Sequence, residues 1–275
     1  MTSEHKQRIE SAFNTVAMGY DHPVADFFPE TARRMVDHLQ LNANDSLLDV
    51  CSGTGILSMY AAVQLSQGSV TGIDLSSGML QKAYSKLQYE QLNNVSFQQM
   101  DMENMSFSDH QFDVAACNFG LFFLEDMENG LRHIARKVKP GGKIGISTFV
   151  PDAFEPMSSL FLKRYESYGK DVAPISWKRL ASEDAMKKTF AAAGIEAVKV
   201  YEEPQGFDMM SAQDWWEIIW NAGFRGLLQQ LSDDEQADLK KKHIEEINQL
   251  CANKKVWMNT GAIIAVGTKS KESTL

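Results

Sequence analysis

Apolar residues along this chain fall into short unbroken runs and longer, spaced stretches, and the two alternate. The runs lie near 46–51, 69–74, 95–100, 112–117 and 142–149, with helical stretches near 55–66, 77–91 and 126–137 between them. Short runs of valine, isoleucine and leucine without polar alternation read as strands buried on both faces. The helices between them are long enough to carry the chain back across a sheet. The pattern therefore predicts an α/β fold with a parallel sheet covered on both sides. Upstream, helices are expected over 4–18 and 30–39, separated by Gly19-Tyr20-Asp21-His22-Pro23, where glycine and proline break the period. Residues 1–45 are read as a helical cap on the sheet.

Beyond Phe149 the alternation loosens. Pro151, Pro156 and Pro174 punctuate a connector, a helix near 181–193 stops at Gly194, and 195–201 reads as a sixth strand. A last strand is expected over 256–268, with Ala262-Ile263-Ile264-Ala265-Val266 at its centre. Between these two strands lie 54 residues, 202–255, far more than a hairpin turn needs. This stretch carries Trp215, Trp216, Trp220 and Phe224, followed by a charged helix over 233–250. It is read as a helical insertion covering a substrate. The competing reading is that its aromatic residues simply pack on the sheet edge. The expected division is thus a cap (1–45), a core (46–201 and 256–275) and an insertion (202–255).

Composition narrows the picture. Of 275 residues, 44% are hydrophobic, ample for a sizeable core, and the net charge of −9 argues against a nucleic acid substrate. The three cysteines, Cys51, Cys117 and Cys251, are widely spaced and odd in number, which speaks against a disulfide framework or a structural zinc site and for a reducing cytoplasm. No apolar run approaches the length of a membrane span, so a soluble cytoplasmic protein is expected. The six histidines are scattered without the spacing of a metal pair.

The chemistry concentrates at Leu47-Leu48-Asp49-Val50-Cys51-Ser52-Gly53-Thr54-Gly55, a buried strand running into a glycine turn and a helix start. Such a turn lets a ligand press against bare peptide N–H groups. The next strand ends at Asp74, 19 positions after Gly55, where a carboxylate can accept from ribose hydroxyls. Together they predict a site for an adenosine cofactor. A dinucleotide site would want a third glycine where Ser58 stands, and no Ser-Tyr-Lys hydride arrangement is recognisable, so a nicotinamide oxidoreductase is disfavoured.

Asp49-Val50-Cys51-Ser52-Gly53-Thr54-Gly55 resembles motif I of the class I S-adenosylmethionine-dependent methyltransferases, with Cys51 in place of that motif's first glycine. The resemblance continues through Gly72-Ile73-Asp74-Leu75-Ser76, Met100-Asp101-Met102-Glu103, the stretch from Phe112 to Asn118, and Val138-Lys139-Pro140-Gly141-Gly142-Lys143. Within that superfamily the chain looks like the small-molecule methyltransferases related to the ubiquinone/menaquinone C-methyltransferases, which also carry an N-terminal Tyr-Asp, here Tyr20-Asp21. It implies a Rossmann-like, doubly wound, mostly parallel seven-stranded sheet with an antiparallel last strand. The implied cofactor is S-adenosylmethionine, leaving as S-adenosylhomocysteine, and the implied acceptor a small hydrophobic or aromatic metabolite.

The same resemblance implies site residues. Asp49, Cys51, Gly53, Thr54 and Gly55 would hold the methionyl end and ribose, with Asp74, Leu75 and Met79 beside them. Asp101 and Met102 would meet the adenine, Asn118 and Phe119 would face the methyl group, and Tyr20 would close over the cofactor. Competing jobs exist: Asp49, Asp74 or Ser76 could cap a turn or helix, and Asp101 could be a solvated loop acid. Phe122, Phe123, Trp216, Trp220 and Phe224 are the candidates for the acceptor pocket, although Phe122 or Phe123 could belong to the core. No general base stands out; His22, beside Tyr20, is the only histidine placed near the pocket. A non-catalytic protein that binds the cofactor or a partner is the other reading.

Overall fold

The computed structural model describes residues 2–251 and 255–271. Positions 252–254 and 272–275, assigned above to the insertion and the core, lie outside the described residues. Strands β1 (Ser46–Val50), β2 (Ser69–Asp74), β3 (Val95–Gln99), β4 (Phe112–Cys117) and β5 (Val138–Phe149) alternate with helices α3 (Ile56–Gln64), α4 (Ser77–Glu90) and α5 (Met127–Lys137). They follow α1 (Ser3–Val16) and α2 (Phe27–Leu39). Helix α2 starts earlier than expected because Pro29 falls in its first turn, where a missing N–H breaks no helical bond. Downstream lie α6 (Met157–Glu166), α7 (Glu183–Ala192) and β6 (Ile195–Glu203), then β7 (Gly206–Met209), α8 (Ala212–Asn221), α9 (Arg225–Leu228), α10 (Asp233–Cys251), β8 (Val256–Asn259) and β9 (Ala262–Lys269).

The main sheet has seven strands in the order β3-β2-β1-β4-β5-β9-β6. β9 alone is antiparallel, slotted between β5 and β6. Side chains alternate across it with period two. Leu47, Val114, Ala116 and Ile264 pack on the face covered by α2 and α3, whereas Leu48, Ala115, Cys117 and Ala265 pack on the opposite face. Both sets are buried, which is why these strands carry no polar alternation in the sequence.

The structure corrects two expectations about chain segments. The single strand expected over 256–268 is two strands, broken at Thr260-Gly261, where the Asn259 side chain accepts from the Gly261 N–H (2.9 Å) and Thr260 N–H donates to the Gln205 carbonyl (3.0 Å). Its first half, β8, leaves the main sheet and pairs with β7 in a separate two-stranded sheet. The stretch 202–255 is therefore not purely helical: β6 continues into it and β7 follows before its helices begin.

Candidate active site

The turn after β1 is built for exposure of its backbone. Cys51, Gly53 and Gly55 all have left-handed backbone angles, with φ of 59°, 54° and 80°. At Gly55 a side chain is also excluded by space, because a Cβ would sit 2.7 Å from the Phe97 ring. At Gly53 a Cβ would meet nothing within 4 Å, so that peptide faces open space. Asp74, at the end of β2, accepts from the Gly53 N–H with one carboxylate oxygen and from the Ser76 N–H with the other, both at 2.8 Å. The capping of α4 falls to the Ser76 hydroxyl, which accepts from the Met79 N–H. Asp74 thus ties two turns together at the rim of a cleft, and burial pushes its carboxyl pKa up against the lowering effect of these amides.

That cleft is lined by ten of the thirteen residues implied for the cofactor: Tyr20, Cys51, Gly53, Asp74, Leu75, Met79, Asp101, Met102, Asn118 and Phe119. The other three sit behind its wall. Asp49 is buried and accepts from the Ser58 hydroxyl at 2.6 Å; burial, only partly opposed by that bond, pushes its carboxyl up to about 7. Its second oxygen has no partner. Thr54 donates to Asp21 (2.7 Å) and accepts from Lys86 (3.0 Å), while Lys86 pairs with Asp21 at 2.8 Å, so the three pin the Tyr20-Asp21 segment to the turn. Gly55 serves packing. Ser58, where a dinucleotide site would have glycine, is the partner of Asp49.

Helix α1 closes the cleft from outside. Ile9 and Phe13 lie on its wall together with Tyr20, and only about 80 Å³ of free space remains inside. Lys6 of the same helix pairs with Asp101 at 2.6 Å and with Glu103 at 2.8 Å. The other Asp101 oxygen accepts from the Glu103 N–H. Asp101 is thus neither a solvated loop acid nor a free acceptor in this state. Nothing in the sequence pattern singled out Lys6. Ser147, in mid-strand, was likewise missed: its hydroxyl donates to the Asn118 side chain (2.6 Å) and accepts from the Phe119 N–H (2.9 Å), fixing the turn after β4.

Tyr20, Phe13, Phe119 and Phe123 also line a second cavity of about 280 Å³. This chamber is walled by aromatic residues from separate segments, among them Phe28, Phe122, Phe149, Phe154, Trp177 and Phe224. Phe119 stacks on Phe149 at 4.2 Å between centroids, and Tyr20 stacks on Phe28 at 4.9 Å. Trp177 brings a buried indole N–H without a partner. The Tyr20 phenol is the one titratable side chain lining the chamber, and burial together with the nearby Asp74 and Asp21 pushes its pKa up, away from neutral pH.

Of the acceptor-pocket candidates, Phe122, Phe123 and Phe224 line this chamber and two tryptophans do not. From α8 Ile218 turns to the chamber, joined by Ala222 just past the helix end, whereas Trp216 and Trp220 share a different stripe of the helix. Trp216 is buried with Lys240 over its ring, and Trp220 is partly exposed under the Arg225 guanidinium, 3.2 Å from its centroid. Trp215 is fully buried and donates from its indole to His243 at 2.9 Å. His22 lines neither cavity; its ring nitrogen accepts from the Val24 N–H and caps the short turn Pro23–Ala25. Among the described residues no group of three or more histidine, cysteine, aspartate or glutamate side chains could hold a metal ion, and no helix is long and apolar enough to cross a membrane.

Comparison with known proteins agrees with this geometry. A family model described as a methyltransferase domain matches residues 47–142, from β1 to the start of β5. The aklanonic acid methyltransferase DauC of a Streptomyces species is 30% identical over 56% of this chain and 75% of its own length. A demethylmenaquinone methyltransferase of Bacteroides fragilis is 30% identical over 65% of this chain and 74% of its own. Among solved structures, the YcgJ protein of Bacillus subtilis superposes with a TM-score of 0.60 at 19% identity, covering 88% of this chain and 98% of that one, and so shares the fold. The chain belongs to the S-adenosylmethionine-dependent methyltransferases and is similar to members named for aklanonic acid, demethylmenaquinone and ubiquinone/menaquinone.

Proposed function

We propose that this methyltransferase methylates a flat, largely apolar small molecule seated in the aromatic chamber, with the cofactor in the adjoining cleft. One observation carries the reading: the chamber shares Tyr20, Phe13, Phe119 and Phe123 with the cleft, so a ring held in one lies across a single layer of side chains from the other. The cleft residues suit the cofactor. The open space at Gly53, whose N–H is held by Asp74, and Asp74 itself are placed for its polar backbone and ribose, while Ile73, Met79, Met100 and Met102 offer apolar surface to a base next to Asp101. An adenosine-sized ligand needs several hundred Å³, so α1 withdraws for entry and Lys6 releases Asp101.

S-adenosylmethionine supplies an electrophilic methyl group on a sulfonium, and what it asks of the protein is alignment and exclusion of water. The aromatic partition provides both. With no carboxylate, lysine or histidine in the chamber wall to take a proton, the acceptor enters already ionised at the atom that is methylated, and the Trp177 indole N–H is a donor for an oxygen on its ring. Residues 202–255 contribute Ile218, Ala222, Phe224 and Leu227 to the wall, and we assign them the role of a cover over the acceptor. Relatives named for demethylmenaquinone and aklanonic acid make quinone-type compounds the first acceptors to test.

The test is formation of S-adenosylhomocysteine across a panel of matched acceptors, flat apolar rings against polar amines and carboxylic acids of similar size. Turnover confined to the apolar rings is expected. Turnover confined to polar acceptors would overturn the assignment of the chamber, and binding of the cofactor with no turnover on any acceptor would favour the non-catalytic reading.

A further inference from the structure

Cys51 and Cys117 end adjacent parallel strands, and their side chains meet at the floor of the cofactor cleft. β1 and β4 are in register through Asp49↔Ala116, so Cys117 lies level with Val50 and one residue behind Cys51. From strand spacing and rise this diagonal is about 6 Å between Cα atoms, inside the range disulfides span. Gly120 makes the room for both: a Cβ there would lie 2.7 Å from the Cys117 sulfur and 2.9 Å from that of Cys51. The Met102 sulfur stands 3.5 Å from the Cys51 sulfur on the cleft side.

Cys51 is also an odd residue for its place. Its φ of 59° is a conformation that favours glycine and strains other residues. Strain of this kind persists where the surroundings over-determine it, and it is grounds for seeking a function. The methyl-transfer reading makes no use of either thiol.

We propose that Cys51 and Cys117 form a modification site, a dithiol that a hydroperoxide converts to a disulfide, disabling the cofactor cleft until it is reduced. The proposal rests on the cleft being the cofactor's. Cys51 lines the cleft and is reached first, whereas Cys117 is fully buried and resolves. The Cys51 sulfur attacks a peroxide oxygen; the O–O bond breaks, leaving a sulfenic acid and releasing an alcohol or water. The Cys117 sulfur then attacks the Cys51 sulfur, the S–O bond breaks and water leaves, so two thiols give up two electrons and two protons to one peroxide. The bond ties the turn bearing Gly53 to the end of β4.

The groups facing Cys51 set the pace. Cys117 on β4, burial, Asp74 on β2 and Asp49 on β1 hold its thiol well above the ordinary range, and the Tyr20 phenol faces it from the N-terminal segment. Oxidation is accordingly slow at neutral pH and accelerates as the pH rises, because the thiolate is the nucleophile.

The experiment treats the full chain with hydrogen peroxide at several pH values and maps disulfides by mass spectrometry of the non-reduced digest. It then measures S-adenosylhomocysteine affinity before and after, with Cys117→Ser alongside. The expected result is a Cys51–Cys117 cross-linked peptide, with Cys251 in no disulfide, that forms faster at higher pH and slower with S-adenosylhomocysteine present. Affinity should fall about tenfold or more and return on reduction, and oxidised Cys117→Ser should show no reversible loss. Absence of the cross-linked peptide, or a bond to Cys251 instead, would overturn the dithiol. A cross-link that leaves affinity unchanged would overturn its control of the cleft, and absence of S-adenosylhomocysteine binding by the reduced protein would count against the cofactor reading itself.

Discussion

The cofactor cleft and the acceptor chamber share one wall yet are made in opposite ways. The cleft is assembled from the ends of parallel strands and is lined by turn backbone and a few carboxylates. The chamber is assembled from aromatic side chains on segments as far apart in sequence as Phe28 and Phe224 and offers almost no polar atoms. The difference teaches where specificity lies. A cleft built from peptide groups admits little variation in its shape. A chamber built from side chains can be reshaped residue by residue without disturbing the sheet.

Breaking the cleft at its backbone should have the largest effect. Gly55→Val imposes a left-handed valine and drives a methyl group into the Phe97 ring, which should cost about 3–5 kcal/mol in urea unfolding. Gly53→Ala meets open space and should cost only about 1–2 kcal/mol while still weakening the cofactor. Equal stability losses at the two glycines would remove the distinction drawn between packing and exposure.

Asp49 gives a pH-dependent version of the same test. Its carboxyl ionises near 7 in the folded protein and near 3.9 in an unfolded chain. The folded state therefore loses stability as pH rises through that window, with no penalty below about pH 4 and the full penalty above about pH 7. Asp49→Asn should gain on the wild type by about 2–4 kcal/mol between pH 5 and pH 8. A stability difference that does not change with pH would mean that Asp49 is charged throughout.

The smallest expected effect is at Lys6. Its pairs with Asp101 and Glu103 are partly solvated, so Lys6→Gln should loosen α1 by only about 0.5 kcal/mol, seen as faster cofactor exchange and a weaker dependence of that rate on salt. Slower exchange would contradict a latch that opposes entry.

The same contrast explains how much could be read from the sequence. Cys51, Gly53, Asp74 and Asp101 could be brought to one cleft from the sequence because glycines, acids and strand ends leave a mark at fixed spacing, and the parallel sheet follows from runs buried on both faces, whereas its strand order does not. Trp216 and Trp220 misled because four aromatic residues at helical spacing do not say which stripe of α8 turns inward; that is set by how α8 packs against α10 and the chamber. Trp177 left only a faint signal, a large aromatic in a proline-marked connector, where nothing buries a side chain unless it packs on another element. The split of 256–268 depends on Gln205 and Asn259 contacts that no apolar pattern encodes.

The most direct test of two compartments with separate tasks is a paired measurement on Asp74→Ala and Phe224→Ala. S-adenosylhomocysteine affinity is taken by calorimetry and the acceptor KM from initial rates, on folded protein. Asp74→Ala should lose roughly 1.5–3 kcal/mol of cofactor binding, while Phe224→Ala leaves cofactor affinity nearly unchanged and raises the acceptor KM. If both variants moved both quantities together, cleft and chamber would be one site and the division of labour proposed for them would be wrong.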